Sequence, residues 1–276
     1  MLYALEHYHR PRTLSEAGEQ LASDSRARVL GGGTRILTSR DDSVRSLVDV
    51  TGLGLDGLEL GGEEPFLGAT TRLQDLVDAP AVQGFYGGIL SEAAYLSNPS
   101  RLKRNAATVA GEILEAGRLG VLSAVALALG ARLVVHDEGE RDLDEVHVNG
   151  LSGIVTAIRL EPEREGRTIG LETVSVVETS NPMALSVAWV EMDSGKVVSS
   201  RVVVGAIGPH PVRLRAVEEM LEGESPDIAL IERAARAGLD DVQIGDRPGL
   251  SGDYLCHLVK VTVRGALSKA MGIVGT

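Results

Sequence analysis

The spacing of apolar positions divides the chain into a mixed first half and a strand-rich second half. Leu14, Ala17 and Leu21 share one helical face, and Thr13 with Glu16 three residues on makes a capping box, which predicts a helix over 13–22. A strand over 27–30 runs into Gly31, Gly32 and Gly33, and 47–50 is a second strand, so the opening is a small β-α-β unit. Residues 58–69 read as two short strands broken by Gly61 and Gly62. Thr71 and Gln74 make another capping box ahead of a helix carrying Leu73, Leu76 and Val77, which Pro80 stops. Residues 89–96 are predicted helical, and 97–108 (SNPSRLKRNAAT) have no period and read as loop. Residues 121–129 are a buried helix ended by Gly130, and 132–136 a strand.

In the second half, 152–160, 171–178, 184–192 and 196–207 alternate or are β-branched, as strands are. DSGK at 193–196 suits a hairpin turn, and helical segments follow at 211–221, 227–237 and 250–269. Strands followed by helices predict α+β packing, with helices on one face of an antiparallel sheet. The polar stretch at 162–168 is the expected boundary, giving domains over 1–163 and 168–276.

Composition narrows the function classes. With 43% hydrophobic and 24% charged residues the chain is an ordinary globular protein, and at 3% aromatics its core must be Leu, Val, Ile and Ala. A net charge of −12 with no basic run excludes nucleic acid as a partner. One cysteine, Cys256, allows neither an internal disulfide nor an iron–sulfur or Cys-rich zinc site. The longest apolar run, 121–131, is too short to span a bilayer, and the N-terminus has no apolar signal core. No membrane insertion and a cytoplasmic location are therefore expected. The histidines have no metal-ligand spacing and G-x-S-x-G is absent, so no metal site and no catalytic residue are predicted. Cys256 and Trp189 are expected in the core.

Two segments could carry chemistry. Gly31-Gly32-Gly33-Thr34 follows a buried strand, where successive N–H groups could turn toward one anion with no Cβ in the way. The same motif could be a plain tight turn. Thr108-Val109-Ala110-Gly111-Glu112 places small residues behind a hydroxyl, and by itself reads as a loop packed against a helix. A third match, Gly52-x-Gly54-x-x-Gly57, lacks the helix that a dinucleotide fingerprint requires directly after it, since 58–62 reads as strand and turn.

Taken together, the segments resemble the FAD-binding medium subunit of the molybdenum hydroxylases, the carbon monoxide and xanthine dehydrogenase family. The resemblance runs through YHRPRTLSEA at 8–17, LGGGTRIL at 30–37, LVDVTGLGLDGL at 47–58 and LGATTRLQDL at 67–76. It continues in Arg104-Asn105-x-x-Thr108-Val109-Ala110-Gly111, similar to the family's R-N-x-x-T-[IV]-G-G, and in ALALGARL at 126–133. VVVGAIGPHPVRLRAVEEML at 202–221 and SGDYLCHLVKVTVRGAL at 251–267 extend it nearly to the C-terminus. Each motif alone is weak; their order and spacing carry the resemblance.

The resemblance implies an N-terminal two-part FAD-binding (PCMH-type) α/β region and a C-terminal antiparallel sheet packed with helices. It implies FAD as cofactor, its pyrophosphate held by backbone N–H groups of two loops: Leu30, Gly31, Gly32, Gly33, Thr34 and Arg35 in the first, Thr108, Val109, Ala110, Gly111 and Glu112 in the second. It implies two partners, a small subunit with [2Fe–2S] clusters and a large molybdopterin subunit that oxidises the substrate. Electrons would pass through the flavin to an external acceptor. Four places depart from the family, one of them Asn181-Pro182, where an acidic-aromatic step is usual. Arg35 stands where a small or acidic polar residue is usual. Ala110 replaces a glycine and, at positive φ, would reshape the loop. Val121 occupies the place of an Asp that bonds the flavin's ribityl chain. Two readings follow: a working flavin subunit with altered contacts, in which Arg35 or Arg118 pairs with the diphosphate, or a scaffold subunit that has lost FAD. A free-standing flavin oxidase fits less well, because no acid–base pair suggests a substrate pocket.

Overall fold

The computed structural model describes residues 4–39, 41–177, 180–239 and 241–273. The chain opens with β1 (His7–His9), α1 (Leu14–Ser23), β2 (Ala27–Leu30) and β3 (Ser46–Asp49). These strands form a parallel sheet in the order β1-β3-β2, Leu30 opposite Asp49. The Thr13 hydroxyl caps α1 by accepting the Glu16 N–H at 3.1 Å, and Ala17 seals the helix against the sheet.

Next come β4 (Leu58–Glu59), β5 (Phe66–Gly68) and a helical stretch: α2 (Leu73–Asp78), α3 (Pro80–Gly84), α4 (Ile89–Ser97), α5 (Arg101–Ala106), α6 (Val109–Glu115) and α7 (Val121–Ala128). Then follow β6 (Arg132–Val135), β7 (Gly139–Asp142), α8 (Leu143–Asn149) and β8 (Val155–Arg159), which close a second sheet in the order β4-β5-β8-β6-β7. Several expectations need correction here. Thr71 does not cap α2; its hydroxyl donates to the Gly57 carbonyl at 2.8 Å, and Asp75 instead accepts the Arg72 N–H at 3.1 Å. Pro80 ends α2 but starts α3. The segment read as loop holds α5, and the second candidate loop opens α6.

The C-terminal part is a meander of β9 (Arg167–Val174), β10 (Ala184–Asp193), β11 (Lys196–Gly205) and β12 (Val212–Arg213), antiparallel throughout, followed by α9 (Arg215–Leu221), α10 (Ile228–Ala237) and α11 (Gly252–Met271). Ser194 and Gly195, both at positive φ, make the β10–β11 hairpin turn. Alternate residues of β10 and β11 divide between two cores. Ala188, Val190, Val202 and Val204 pack with the three C-terminal helices, while Leu185, Val187, Trp189 and Val203 join the N-terminal core around α7. The sheet is thus covered on both faces, not on one. Every residue of α7 is buried, which is why VLSAVALA reads as apolar all round.

Trp189 ties the two parts together and is core, as expected. Its indole N–H donates to the Tyr86 hydroxyl at 3.2 Å, which donates to the Pro162 carbonyl at 3.0 Å. The guanidiniums of Arg167 and Arg201 lie over its ring at 5.5 and 4.6 Å. Cys256 is only half-buried, on the flank of α11. Among the described residues no helix is long and apolar enough to cross a membrane, and no His, Cys, Asp and Glu side chains group as a metal site.

Candidate functional site

The two candidate loops meet. Leu30 ends β2 with its side chain packed against Val44 and Leu47, and the chain then turns sharply through Gly31–Arg35 into a short 3-10 turn, Ile36–Thr38. The N–H groups of Gly31, Gly32, Gly33, Thr34 and Arg35 find no acceptor among the described residues. Two of the glycines are required by the second loop. A Cβ on Gly32 would sit 1.7 Å from the Ala106 carbonyl oxygen, and one on Gly31 would sit 2.7 Å from the Thr108 hydroxyl. A Cβ on Gly111 would meet that same hydroxyl at 2.9 Å. Gly31 and Gly111 therefore flank a single side chain, and the loops form one surface.

The second loop contributes fewer backbone donors than its motif suggests. Thr108 is the N-cap residue of α6, yet its hydroxyl does not cap the helix. The N–H groups of Val109 and Ala110 are taken by the carbonyls of Thr71, at 2.9 Å, and Ala69, at 3.0 Å. Glu112 N–H closes onto the Thr108 carbonyl at 2.9 Å, which leaves Gly111 N–H as the donor of the first turn with no acceptor among the described residues. Ala110 lies within the helix and is absent from the positive-φ positions. The expected strain of alanine in place of glycine does not arise, because the loop is already helical there.

Arg35 also joins the two loops through its side chain. Its Nη2 donates to Oε1 of Glu112 at 2.7 Å, joining the two loops by an ion pair between residues 77 positions apart. The Glu112 side chain is wholly buried and also accepts the Asn98 amide at 3.0 Å. Burial pushes the Glu112 carboxyl above its ordinary range, against the Arg35 charge and the hydrogen bonds from Arg35 and Asn98, which pull it down. Asn98 is fixed in turn by the buried Arg104, which donates to the carbonyls of Asn98 and Pro99 at 2.8 and 2.7 Å and to the Gln74 side chain at 2.9 Å.

Arg35 also forms part of the wall of a cleft of ≈ 640 Å³, which Asn98, Ser100 and Lys103 line together with Ser180 and Asn181 of the β9–β10 connection. That volume lies within the range of small-molecule and cofactor sites, about 300–1,000 Å³. A smaller cleft, ≈ 210 Å³, is lined by Arg159, Arg164 and Arg167 with Glu63, Glu64 and Glu161, which pair with one another and leave little free charge for a ligand.

Of the departures noted in the sequence, Val121 is wholly buried at the start of α7, with nothing polar to present. The Arg118 side chain lies outside the described residues. The Gly52–Gly57 match leads into β4, not a helix, so it is no dinucleotide fingerprint. The fold also assembles a pair that the sequence did not reveal: Ser123 Oγ lies 3.2 Å from His147 Nε2, and the His147 ring stacks on His210 at 5.2 Å. Burial, then the His210 charge, lowers the His147 pKa to about 4. Among the described residues its buried Nδ1 has no hydrogen-bond partner, and Ser123 donates to the Ile113 carbonyl at 2.8 Å, so no described carboxylate orients the ring and the hydroxyl is not poised as a nucleophile. Lys103, Ser100 and Asn98 were missed because 97–108 has no apolar period. The signal that could have found them is the basic cluster 101–104 in an acidic chain.

Residues 3–149 match the family described as the FAD binding domain in molybdopterin dehydrogenase, and residues 182–270 match the CO dehydrogenase flavoprotein C-terminal domain. The chain is 22% identical to the xanthine dehydrogenase FAD-binding subunit of Escherichia coli O157:H7 over 292 aligned positions, 99% of each chain. Its fold is similar to a chain of carbon monoxide dehydrogenase from Hydrogenophaga pseudoflava, with a TM-score of 0.89 at 23% identity and 100% of both chains covered. A chain of the reconstituted CO dehydrogenase from Oligotropha carboxidovorans gives a TM-score of 0.88 at 20% identity, covering 99% of this chain and 100% of that one. At these identities the solved structures bear on the fold alone.

Proposed function

The chain belongs to the family described as the FAD binding domain in molybdopterin dehydrogenase, and from that premise we propose that it is the FAD-binding, electron-relaying subunit of a molybdenum hydroxylase. The observation that carries this reading is the convergence of the two glycine loops, the first of which lends Arg35 to the wall of a cleft of ≈ 640 Å³, with the N–H groups of Gly31–Arg35 unpartnered among the described residues. A run of free backbone donors with no Cβ in the way suits a diphosphate, so these residues fit the group. Gly31, Gly32, Gly33, Thr34 and Arg35 would hold it from one side, and Gly111 with the Thr108 hydroxyl from the other. Leu30 and Val109 serve through packing: both side chains are buried. FAD, when bound, would supply the redox chemistry that links one-electron carriers to an external acceptor.

The chain's own residues bind and orient; none of them touches a reacting substrate bond. Substrate oxidation belongs, in this reading, to a molybdopterin large subunit, and the [2Fe–2S] clusters to a small subunit, since one cysteine cannot ligate a cluster. The domains over 1–163 and 168–276 would meet across the cleft, which Ser180 and Asn181 close from the C-terminal side. One observation favours a second reading, a scaffold that has lost FAD: Val121 is apolar and wholly buried at the position of the family's ribityl-binding Asp.

The test is a mixing experiment. The FAD-loaded chain is combined with its proposed partner, the reduced [2Fe–2S] small subunit, and the oxidised-flavin absorbance is followed. Bleaching on mixing, with no substrate hydroxylation by this chain alone, is the expected result. An unchanged spectrum, or hydroxylation without partners, contradicts the assignment.

A further inference from the structure

We propose that Arg35 and Lys103 form a cation pair that holds the diphosphate from the cleft wall, with Glu112 as the residue that positions Arg35. This rests on the flavin-subunit reading above and adds side-chain charge to a grip otherwise made of backbone. The whole chain carries a net charge of −12, yet Arg35 and Lys103 are the charged groups lining this cleft among the described residues. The remaining described lining is neutral, and the Glu112 carboxylate that pairs with Arg35 is itself wholly buried. Such a reversal of sign in an acidic protein creates a local attraction for an anion.

The two cations are held differently. Arg35 spends one N–H on Glu112 and keeps its other donors, with 30% of its side chain exposed. Because Glu112 is itself held by Asn98, the guanidinium is fixed before a ligand arrives, which lowers the ordering cost of binding. Lys103 projects from α5, is exposed, and makes no ion pair among the described residues. The buried Arg104 next to it anchors that helix through three hydrogen bonds, so the backbone carrying Lys103 is rigid. A diphosphate lying between the Gly31–Arg35 turn and α5 would place negative charge against both cations, and the absence of a polar ribityl partner at Val121, expected from the resemblance, would shift the weight of binding onto them.

The experiment titrates the flavin-free full-length chain with three probes: FAD, riboflavin, which has no phosphate, and ADP, which has the diphosphate without the flavin. Lys103→Met and Arg35→Met should each weaken FAD and ADP about tenfold, the loss of one charge-assisted contact, and leave riboflavin unchanged. Glu112→Gln should weaken ADP, flatten the salt dependence of binding and spare riboflavin, a pattern that mere loosening of the fold would not give. Lys103 is exposed, so Lys103→Met stays informative if Arg35→Met fails to fold. Unaltered FAD and ADP affinity in Lys103→Met overturns the cation pair while the flavin reading stands. Binding of ADP but not FAD or riboflavin by the unmodified chain keeps the cation pair and removes the flavin reading. Binding of none of the three refutes both.

Discussion

Replacing Gly32 by alanine should destabilise the flavin-free protein. The added Cβ would lie 1.7 Å from the Ala106 carbonyl oxygen, 2.7 Å from the Ala106 carbonyl carbon and 3.1 Å from Ala107 Cα. All three are backbone atoms, so no side chain can swing away. Reaching even 3.0 Å, a distance below which real Cβ atoms essentially never come, requires the loops to part by at least 1.3 Å. The Ala106 carbonyl cannot move freely, because Arg72 donates to it at 2.5 Å and the neighbouring Ala107 carbonyl accepts the Leu73 N–H at 3.1 Å. Overpacking of this kind costs about 1–3 kcal/mol, which for a chain of this size is roughly 2–10 °C in melting temperature. Parting the loops also pulls Gly31 from Thr108, so FAD affinity falls as well. The assay is a thermal melt of the flavin-free variant followed by an FAD titration. A melt within about a degree of the parent would refute the packing argument. The cause would then lie in the phosphate cradle alone, as the glycine motif by itself suggests.

Two other outcomes follow from the same structure. Gly18 lies inside α1 with nothing within 4 Å of where a Cβ would be, so Gly18→Ala should stabilise by about 0.5–1 kcal/mol; an unchanged or lowered melting point contradicts this. His147 is favoured neutral in the fold, with its pKa lowered to about 4 from 6.5. Its contribution is therefore full above about 6.5 and is lost as pH falls through about 4, by roughly 1–3 kcal/mol in stability. Denaturant midpoints measured across that window should fall less steeply in His147→Gln, and parallel curves would show that another group governs the acid limb.

The elements that apolar periodicity predicts are those held by apolar packing. α7 is buried on every side, and the β10–β11 hairpin follows from its alternation and its Ser-Gly turn. α5 escaped that reading because its one buried side chain is Arg104, which packs through hydrogen bonds to Gln74, Asn98 and Pro99 rather than through an apolar stripe. The sheet's second covered face was equally hidden, since α7 reaches β10 and β11 from far along the chain. At the site, the glycine run marked where backbone comes close, but not what approaches it. The Ala106 carbonyl against Gly32 and the Glu112 carboxylate on Arg35 are long-range contacts with no local signature. Ala110 shows the opposite error: a glycine-like position in the motif carries no positive φ once α6 begins at Val109.

The central claim is that this chain binds FAD at the joined glycine loops. The most direct measurement is calorimetric titration of FAD into the purified flavin-free chain, repeated with Gly32→Val. On the family resemblance the ribityl-side contact would be lost at the buried Val121, and loss of one charge-assisted hydrogen bond costs about 1.5–3 kcal/mol, roughly one to two decades of affinity. The account therefore predicts saturable binding, one FAD per chain, with a dissociation constant on the order of micromolar, lost in Gly32→Val. It also predicts that flavin is largely stripped during purification unless FAD is added. An absence of binding up to millimolar-order FAD, or binding indifferent to Gly32→Val, would contradict it.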